Sequence, residues 1–307
     1  NLLGISGPAE KLAFERLCDN LHPATGEQLT QRMNSERIVG IDFTFDGPKG
    51  FSVLEALAGP EERRRLREAL RLAGDETMSE MEAEAGTRVR KGNQRANRTT
   101  GNLIWYRAPH DTTRPVDGVP DMQAHDHYFV LNATFDPVEK QWKAANLYDV
   151  LKDMPYYQAA FHQRLALRLE DMGYEVRRQG NFFEVAGISA SVIAKFSRRQ
   201  QLIEETAKKQ GITDPRVKGE LGATTREKKA KNLSMDELRR LWVSRLDGKE
   251  REGVYATLVE AKRRESAGER TTREVGVREA MRHAADHVFE RRSAVPAREL
   301  LANALAY

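Results

Sequence analysis

The 307-residue sequence has one cysteine, Cys18, which excludes an internal disulfide and fits a reducing compartment. It has no apolar run near the ~18 residues of a membrane-spanning helix and no signal-peptide pattern. A soluble, cytoplasmic protein is therefore expected. No internal repeat and no low-complexity tract is visible. An initiating methionine is also lacking. The opening stretch, NLLGISGPAEKLAFERLCDN, reads as a helix already inside a domain, so a fragment or processed form with residues missing upstream is expected. Acidic residues are absent over one long stretch: between Gly86 and His110 there are none, against six basic residues, Arg88, Arg90, Lys91, Arg95, Arg98 and Arg107. A second basic cluster comprises Arg226, Lys228, Lys229 and Lys231. Such clusters suit polyanions, and they also occur as solvated charged faces.

Apolar residues make up 39%, enough for a core, and charged residues 31%, above the typical quarter. The length suits two domains, or one large domain with an appendage. A first helix is expected over SGPAEKLAFERLCDN, with Ser6 as N-cap and Pro8 in its first turn. A strand follows at 37–45, then a turn, DGPKG, and a helix from about Phe51 to Ala58. A second helix begins after Gly59-Pro60 and runs to Ala85, broken near Gly74. The basic stretch TRVRKGNQRANRTTG reads as a loop. Strands are expected at 102–108, 127–135 and 141–147, with an irregular excursion at 110–124. They give a sheet assembled from hairpins rather than βαβ units. Then come a helix ending at Gly173, a hairpin at 174–187 turning at Gly180-Asn181, a helical stretch, and a capping box from Ser234 to Glu237. After Gly248 the sequence is charged and helical. The expected division is 1–247 and 248–307.

HDHYFVLN, residues 125–132, holds the chemistry. His125 and His127 sit at i and i+2 of a strand and share a face. Alone, the pair fits metal ligation or two polar residues on the wet side of a sheet. Asp126 points to the opposite face, so a third ligand must come from a neighbouring element. His110, just past the preceding strand, can be brought beside His125. Three imidazoles with an open position make a catalytic-type site, and a metal there could polarise a phosphate oxygen. Otherwise His110 is a surface histidine. The nearby basic residues and the aromatic strand IWYR suit single-stranded nucleic acid, although Trp105 and Tyr106 also suit a sheet core.

Four spaced blocks carry a resemblance. GIDFTFDGPKGFSVLEAL (40–57) resembles the strand–turn–helix signature of MobF-type conjugative relaxases, D-L-T-F-S-A-P-K-S-V-S. DMQAHDHYFVLNATF is similar to their D-P-x-L-H-x-H-x-x-x-x-N segment. FFEVAGIS with VIAKFSRR resembles the block that follows. The tail, HAADHVFERRSAVPARELLANAL, looks like the approach to a helicase half. The resemblance implies an α+β fold of the HUH-endonuclease type, an antiparallel sheet flanked by helices, with a helical C-terminal extension. It implies metal-dependent nicking of one strand at a plasmid transfer origin, with a tyrosine left covalently on the 5′ end. By position, His110, His125 and His127 would bind a divalent ion (Mg, Mn or Zn). Asp42 would support the histidines or the tyrosine, and the basic residues from Arg88 to Arg107 would contact DNA. Implied partners are single-stranded transfer-origin DNA, relaxosome accessory proteins and a secretion coupling protein, without membrane insertion.

The sequence departs from the family in three places. DGPKG replaces S-A-P-K-S, the His110-to-His125 gap is longer, and the family tyrosines lie ahead of the segment matching LLGISG, whereas the first tyrosine here is Tyr106. Tyr156 and Tyr157 read as core and helix-start residues, so the nucleophile is expected upstream of this sequence. Two competing readings are a single-stranded-DNA binding module with a structural metal, which would bind without nicking, and a metal-dependent phosphodiesterase, which would cleave without a covalent adduct.

Overall fold

Alternation sets the central strand of the fold. In MQAHDHYFVL, residues Met122, Ala124, Asp126, Tyr128 and Val130 are buried, and the residues between them face the other way. A computed structural model describes residues 2–307 apart from 6, 9, 32, 34, 35, 91–94, 181, 225–232, 270–274 and 291. It begins with α1 (Lys11–Cys18), β1 (Gly40–Asp46), α2 (Lys49–Leu57) and α3 (Pro60–Ala83). Short strands follow: β2 (Gly86–Val89), β3 (Ala96–Thr99), β4 (Trp105–Thr112), β5 (Met122–Leu131), β6 (Thr134–Asp136), β7 (Gln141–Lys143) and β8 (Ala145–Asn146). Next come α4 (Tyr148–Lys152), α5 (Met154–Asp171) and the hairpin β9 (Val176–Gln179) and β10 (Phe182–Val185). The remainder is helical: α6 (Ala190–Lys195), α7 (Arg198–Lys209), α8 (Pro215–Thr224), α9 (Met235–Ser244), α10 (Gly248–Ala267), α11 (Val277–Phe289) and α12 (Ala297–Ala306).

The central sheet is antiparallel in the order β1–β5–β4. Three smaller sheets, β3–β2–β8, β6–β7 and β9–β10, surround it, giving an α+β fold. One face of the central sheet carries Phe43, Phe45, Tyr128 and Val130, packed with Phe161 and Leu165 of α5 and Leu66 and Ala73 of α3 in one core. The opposite face carries Asp42, Thr44, Asp46, His125 and His127. Among the described residues no helix is long and apolar enough to cross a membrane.

Several sequence expectations are corrected. The first helix starts at Lys11, with Glu10 at its N-cap, so Pro8 precedes it; Ser6 lies outside the described residues. The α3 helix runs unbroken through Gly74, because the missing side chain there makes room for a partner. A Cβ on Gly74 would sit 2.5 Å from the Tyr128 hydroxyl, which donates to Asp75 Oδ1 at 2.7 Å. Part of the basic stretch expected as a loop forms the β2–β3 hairpin, which buries Thr87 and Val89. The strand expected at 127–135 is two strands, and its first begins five residues earlier, at Met122. The capping box at Ser234 and Glu237 is present, and Gly173 ends α5 with φ of +83°. Asn181 and the cluster Arg226–Lys231 lie outside the described residues.

The 113–121 excursion is pinned at its end. Asp121, 2% exposed, accepts from Arg198 Nη2 at 2.9 Å and Arg245 Nη1 at 2.6 Å. Arg198 also donates to the Val116 and Val119 carbonyls, and Trp242 Nε1 donates to Pro120 O at 2.9 Å. The C-terminal helices return to the same body: Val254 and Ala261 of α10 are buried in the main core, and the Arg298 guanidinium of α12 lies 4.6 and 4.9 Å from the Tyr156 and Tyr157 ring centres.

His162 on α5 makes stability pH-dependent. It is 7% exposed, among Phe161, Phe182 and Phe183, and among the described residues its Nδ1 has no hydrogen-bond partner. Burial pulls its pKa from 6.5 to about 4. The unfolded chain therefore binds this proton at a higher pH than the folded one. Stability is complete at neutral pH and falls between roughly pH 6.5 and 4, by about 2 kcal/mol from pH 7 to pH 5. Urea midpoints at the two pH values should show the loss in the parent and little of it in His162→Phe; equal losses would exclude His162 as the source.

Candidate metal centre

The register of the central sheet brings three histidines together. His110 of β4 lies opposite His125 of β5, and His127 lies between Ala108 and Thr44. Residues directly opposite in an antiparallel pair share a face, so the three imidazoles converge. Their ring centres are 4.8–5.2 Å apart, and one ligand-capable atom from each lies within 4.8 Å of the others.

Two of the rings are held by their second nitrogen. His127 Nδ1 is 2.7 Å from Asp42 Oδ2 and 3.2 Å from Thr44 Oγ1. His125 Nδ1 donates to its own strand, to Gln123 O at 2.8 Å. Both leave Nε2 for the cluster, and a carboxylate or carbonyl behind an imidazole is the usual way a ligand histidine is oriented. Burial, with the two neighbouring imidazoles, holds the His125 pKa below its ordinary value despite the Gln123 bond, which favours the neutral, ligating form. On the third ring's strand, Arg67 of α3 donates to His110 O at 3.1 Å and also pairs with Asp111 and Glu55. Three imidazole nitrogens with an acidic partner on one side suit a divalent ion.

The sequence reading singled out the three histidines and Asp42, and the structure places all four together. It missed Thr44, although the alternation that exposes Asp42 puts Thr44 on the same face. It also missed the bulge beside His125: pairing passes from His110↔His125 to Thr112↔Met122, so two β5 residues face one on β4.

The basic residues divide. Arg88, Arg90 and Arg95 are exposed on or beside the β2–β3 hairpin. Arg98 instead pairs with buried Asp136 at 2.6 Å. Arg107 lies on the face away from the histidines and pairs with Asp126, itself 2% exposed, at 2.9 Å. Lys91 lies outside the described residues. Three of the tyrosines, Tyr106, Tyr156 and Tyr157, are engaged elsewhere. Tyr106 packs its ring 5.0 Å from Phe14. The Tyr156 hydroxyl bonds Glu80, and Tyr157 is buried, which pushes its hydroxyl up to about 12.

Comparison with known proteins agrees with this geometry. A family model described as TrwC relaxase matches residues 1–248. The multifunctional conjugation protein TraI of Escherichia coli is 31% identical over 214 residues, covering 66% of this chain and 12% of that protein. TraI of strain K12 is 30% identical over 213 residues, with the same coverage. The chain thus spans only 12% of the length of these curated relatives. Among solved structures, the conjugative relaxase TrwC bound to oriT DNA without metal superposes with a TM-score of 0.71 at 27% identity, covering 83% of this chain and 87% of that one. Its copper-bound complex gives 0.72 at 27%, covering 80% and 83%. The matched segment contains every strand of the histidine face, and the chain belongs to the TrwC relaxase family, the MobF class of conjugative relaxases.

Proposed function

We propose that this chain is the DNA-nicking domain of a conjugative relaxase, acting on single-stranded transfer-origin DNA. The observation that carries the reading is the convergence of His110, His125 and His127 on one sheet face, with Asp42 behind His127. These three imidazoles would hold a divalent ion. Such an ion supplies Lewis-acid polarisation of the scissile phosphate and offsets the charge that develops on it. Asp42 and Thr44 orient His127, and Gln123 O orients His125. TrwC has been solved with oriT DNA in metal-free and copper-bound forms, which supports both the substrate class and the metal.

The nucleophile is a tyrosine outside these 307 residues. Supporting this, Tyr106, Tyr156 and Tyr157 are committed to Phe14, Glu80 and the core. Residues 1–247 form the relaxase domain, and 248–307 lead toward a helicase-type region, in keeping with the multifunctional TraI relatives. The test is a denaturing gel for a protein–oligonucleotide adduct on a transfer-origin strand, using a chain extended upstream. Cleavage without an adduct would point to activated water instead, and binding without cleavage to a binding module.

DNA affinity should depend on the β2–β3 hairpin. Replacing Arg88, Arg90 and Arg95 together by alanine should weaken single-strand binding and reduce its salt slope by about 0.7 per lost phosphate contact, about 2 in all. Fluorescence anisotropy across a salt series measures this. An unchanged slope would make these arginines a solvated edge with no DNA contact.

A further inference from the structure

The turn and first residues of α2 are bonded, group by group, to the bulge beside His125. Lys49 Nζ donates to Met122 O at 2.7 Å. Ser52, fully buried, accepts from Ala124 N at 3.0 Å and donates to Pro48 O at 3.3 Å. Gly47 N donates to Ala124 O at 3.2 Å, and Gln123 Nε2 returns a bond to Gly47 O at 3.2 Å. Gly47 cannot carry a side chain, because its Cβ would overlap the Phe51 ring. The Lys49 ammonium, the Ser52 hydroxyl and the Gly47 amide thus take three backbone groups of the bulged segment, Met122 O, Ala124 N and Ala124 O. The one bulge carbonyl that none of these takes, Gln123 O, receives His125 Nδ1–H.

We propose that Lys49 and Ser52 are positioning residues for His125: by holding the bulge, they aim the Gln123 carbonyl so that His125 keeps its proton on Nδ1 and turns Nε2 toward His110 and His127. Two further facts fit. Lys49 is partly buried: burial pulls its ammonium down to about 8, against the opposing pull of Asp121, Asp46 and Glu184. Its aliphatic stem and charge therefore serve the Met122 carbonyl at some cost in desolvation, which a purely solvated lysine would not incur. In addition, Ser52 spends both hydrogen-bonding functions locally, one on the turn and one on the bulge, so it couples the two rigidly. The inference concerns the imidazole itself; its meaning for catalysis rests on the metal reading above.

The experiment separates these two levels. In the metal-free protein, long-range proton–nitrogen NMR of the imidazoles reports the tautomer of His125. Added Co2+ then reports binding through its visible absorption. The parent is expected to show Nδ1–H at His125 and to bind Co2+. Lys49→Met should populate the Nε2–H form and weaken Co2+ binding about tenfold or more, the range typical of losing a group that orients a ligand. Lys49→Arg, which keeps a long cationic donor, should restore both. Ser52→Ala should behave as Lys49→Met if it folds. A lowered melting temperature alone would not mark a positioning role; the tautomer would. Retention of Nδ1–H and of Co2+ affinity within twofold in folded Lys49→Met would overturn the proposal. A parent that shows Nδ1–H but binds no Co2+ would remove the metal reading and leave the hold on His125 standing.

Discussion

His125→Ala, in a chain extended to include the nucleophilic tyrosine, should lower formation of the covalent protein–DNA product by about 10³-fold, the scale of several kcal/mol of lost charge stabilisation. Single-strand affinity should change little if, as proposed, it comes from phosphate contacts made by basic residues elsewhere. His125 is one corner of the triad: it faces His110 across one strand pair, and on its own strand its ring lies 5.1 Å from that of His127. Removing it leaves two imidazoles, a poorer site for any divalent ion. A tyrosine hydroxyl, with an unperturbed pKa of about 10, is a weak nucleophile at neutral pH without assistance. Asp42→Asn should be milder, about 10- to 100-fold, since the His127 ring stays in place while its orienting charge is lost. The gel assay reads both. Full adduct yield from His125→Ala would end the proposal that this cluster is the catalytic centre, whatever the fate of DNA binding.

The second large effect falls on stability. Asp121→Ala should destabilise the fold by about 3 kcal/mol, the lower end for breaking a buried ion pair from one side. Asp121 is 2% exposed and serves two arginines from distant helices, Arg198 and Arg245. Without it both guanidinium groups lose their acceptor. They keep backbone bonds to Val116, Val119 and Lys195, and each is about a quarter exposed, which holds the cost at the lower end. Urea unfolding should show a lower midpoint at an unchanged slope. A loss under 1 kcal/mol would mean that the arginines re-pair through their backbone bonds, and that Asp121 does not hold the excursion between His110 and His125 in place.

The central strands were legible because a half-buried strand writes its two faces as alternation. In β5, Tyr128 and Val130 alternate with His127 and Phe129, and in β1, Phe43 and Phe45 alternate with Asp42 and Thr44. That pattern placed His125 and His127 on one face from the sequence alone, whereas Asp42 was singled out by the family resemblance. The β2–β3 hairpin was hidden, because Thr87 and Val89 are its few buried side chains and the rest is charged or polar. Gly74 reads locally as a break, since glycine is a poor helix former. Its role as a socket for Tyr128 involves a residue 54 positions away. The bulge at Gln123 leaves no local signature either: it is defined by how β5 pairs with β4, on the far side of the excursion. Arg98 and Arg107 looked like DNA contacts because their acidic partners, Asp136 and Asp126, lie outside the basic stretch. Charge clustering along a chain does not report pairing across strands.

The two-faced strand β5 also constrains how such a protein can drift over generations. Substitutions on β5 can be absorbed one at a time, on whichever side they fall. Loss or gain of a single codon within 122–131 would instead exchange the sides, sending His127 into the space of Tyr128 and the tyrosine toward the histidine side. The excursion at 113–119 lies outside that strand and is held through the Val116 and Val119 carbonyls by Arg198 and at its far end by Pro120 and Asp121. Length differences between lineages should therefore accumulate in the excursion and be purged from the strand.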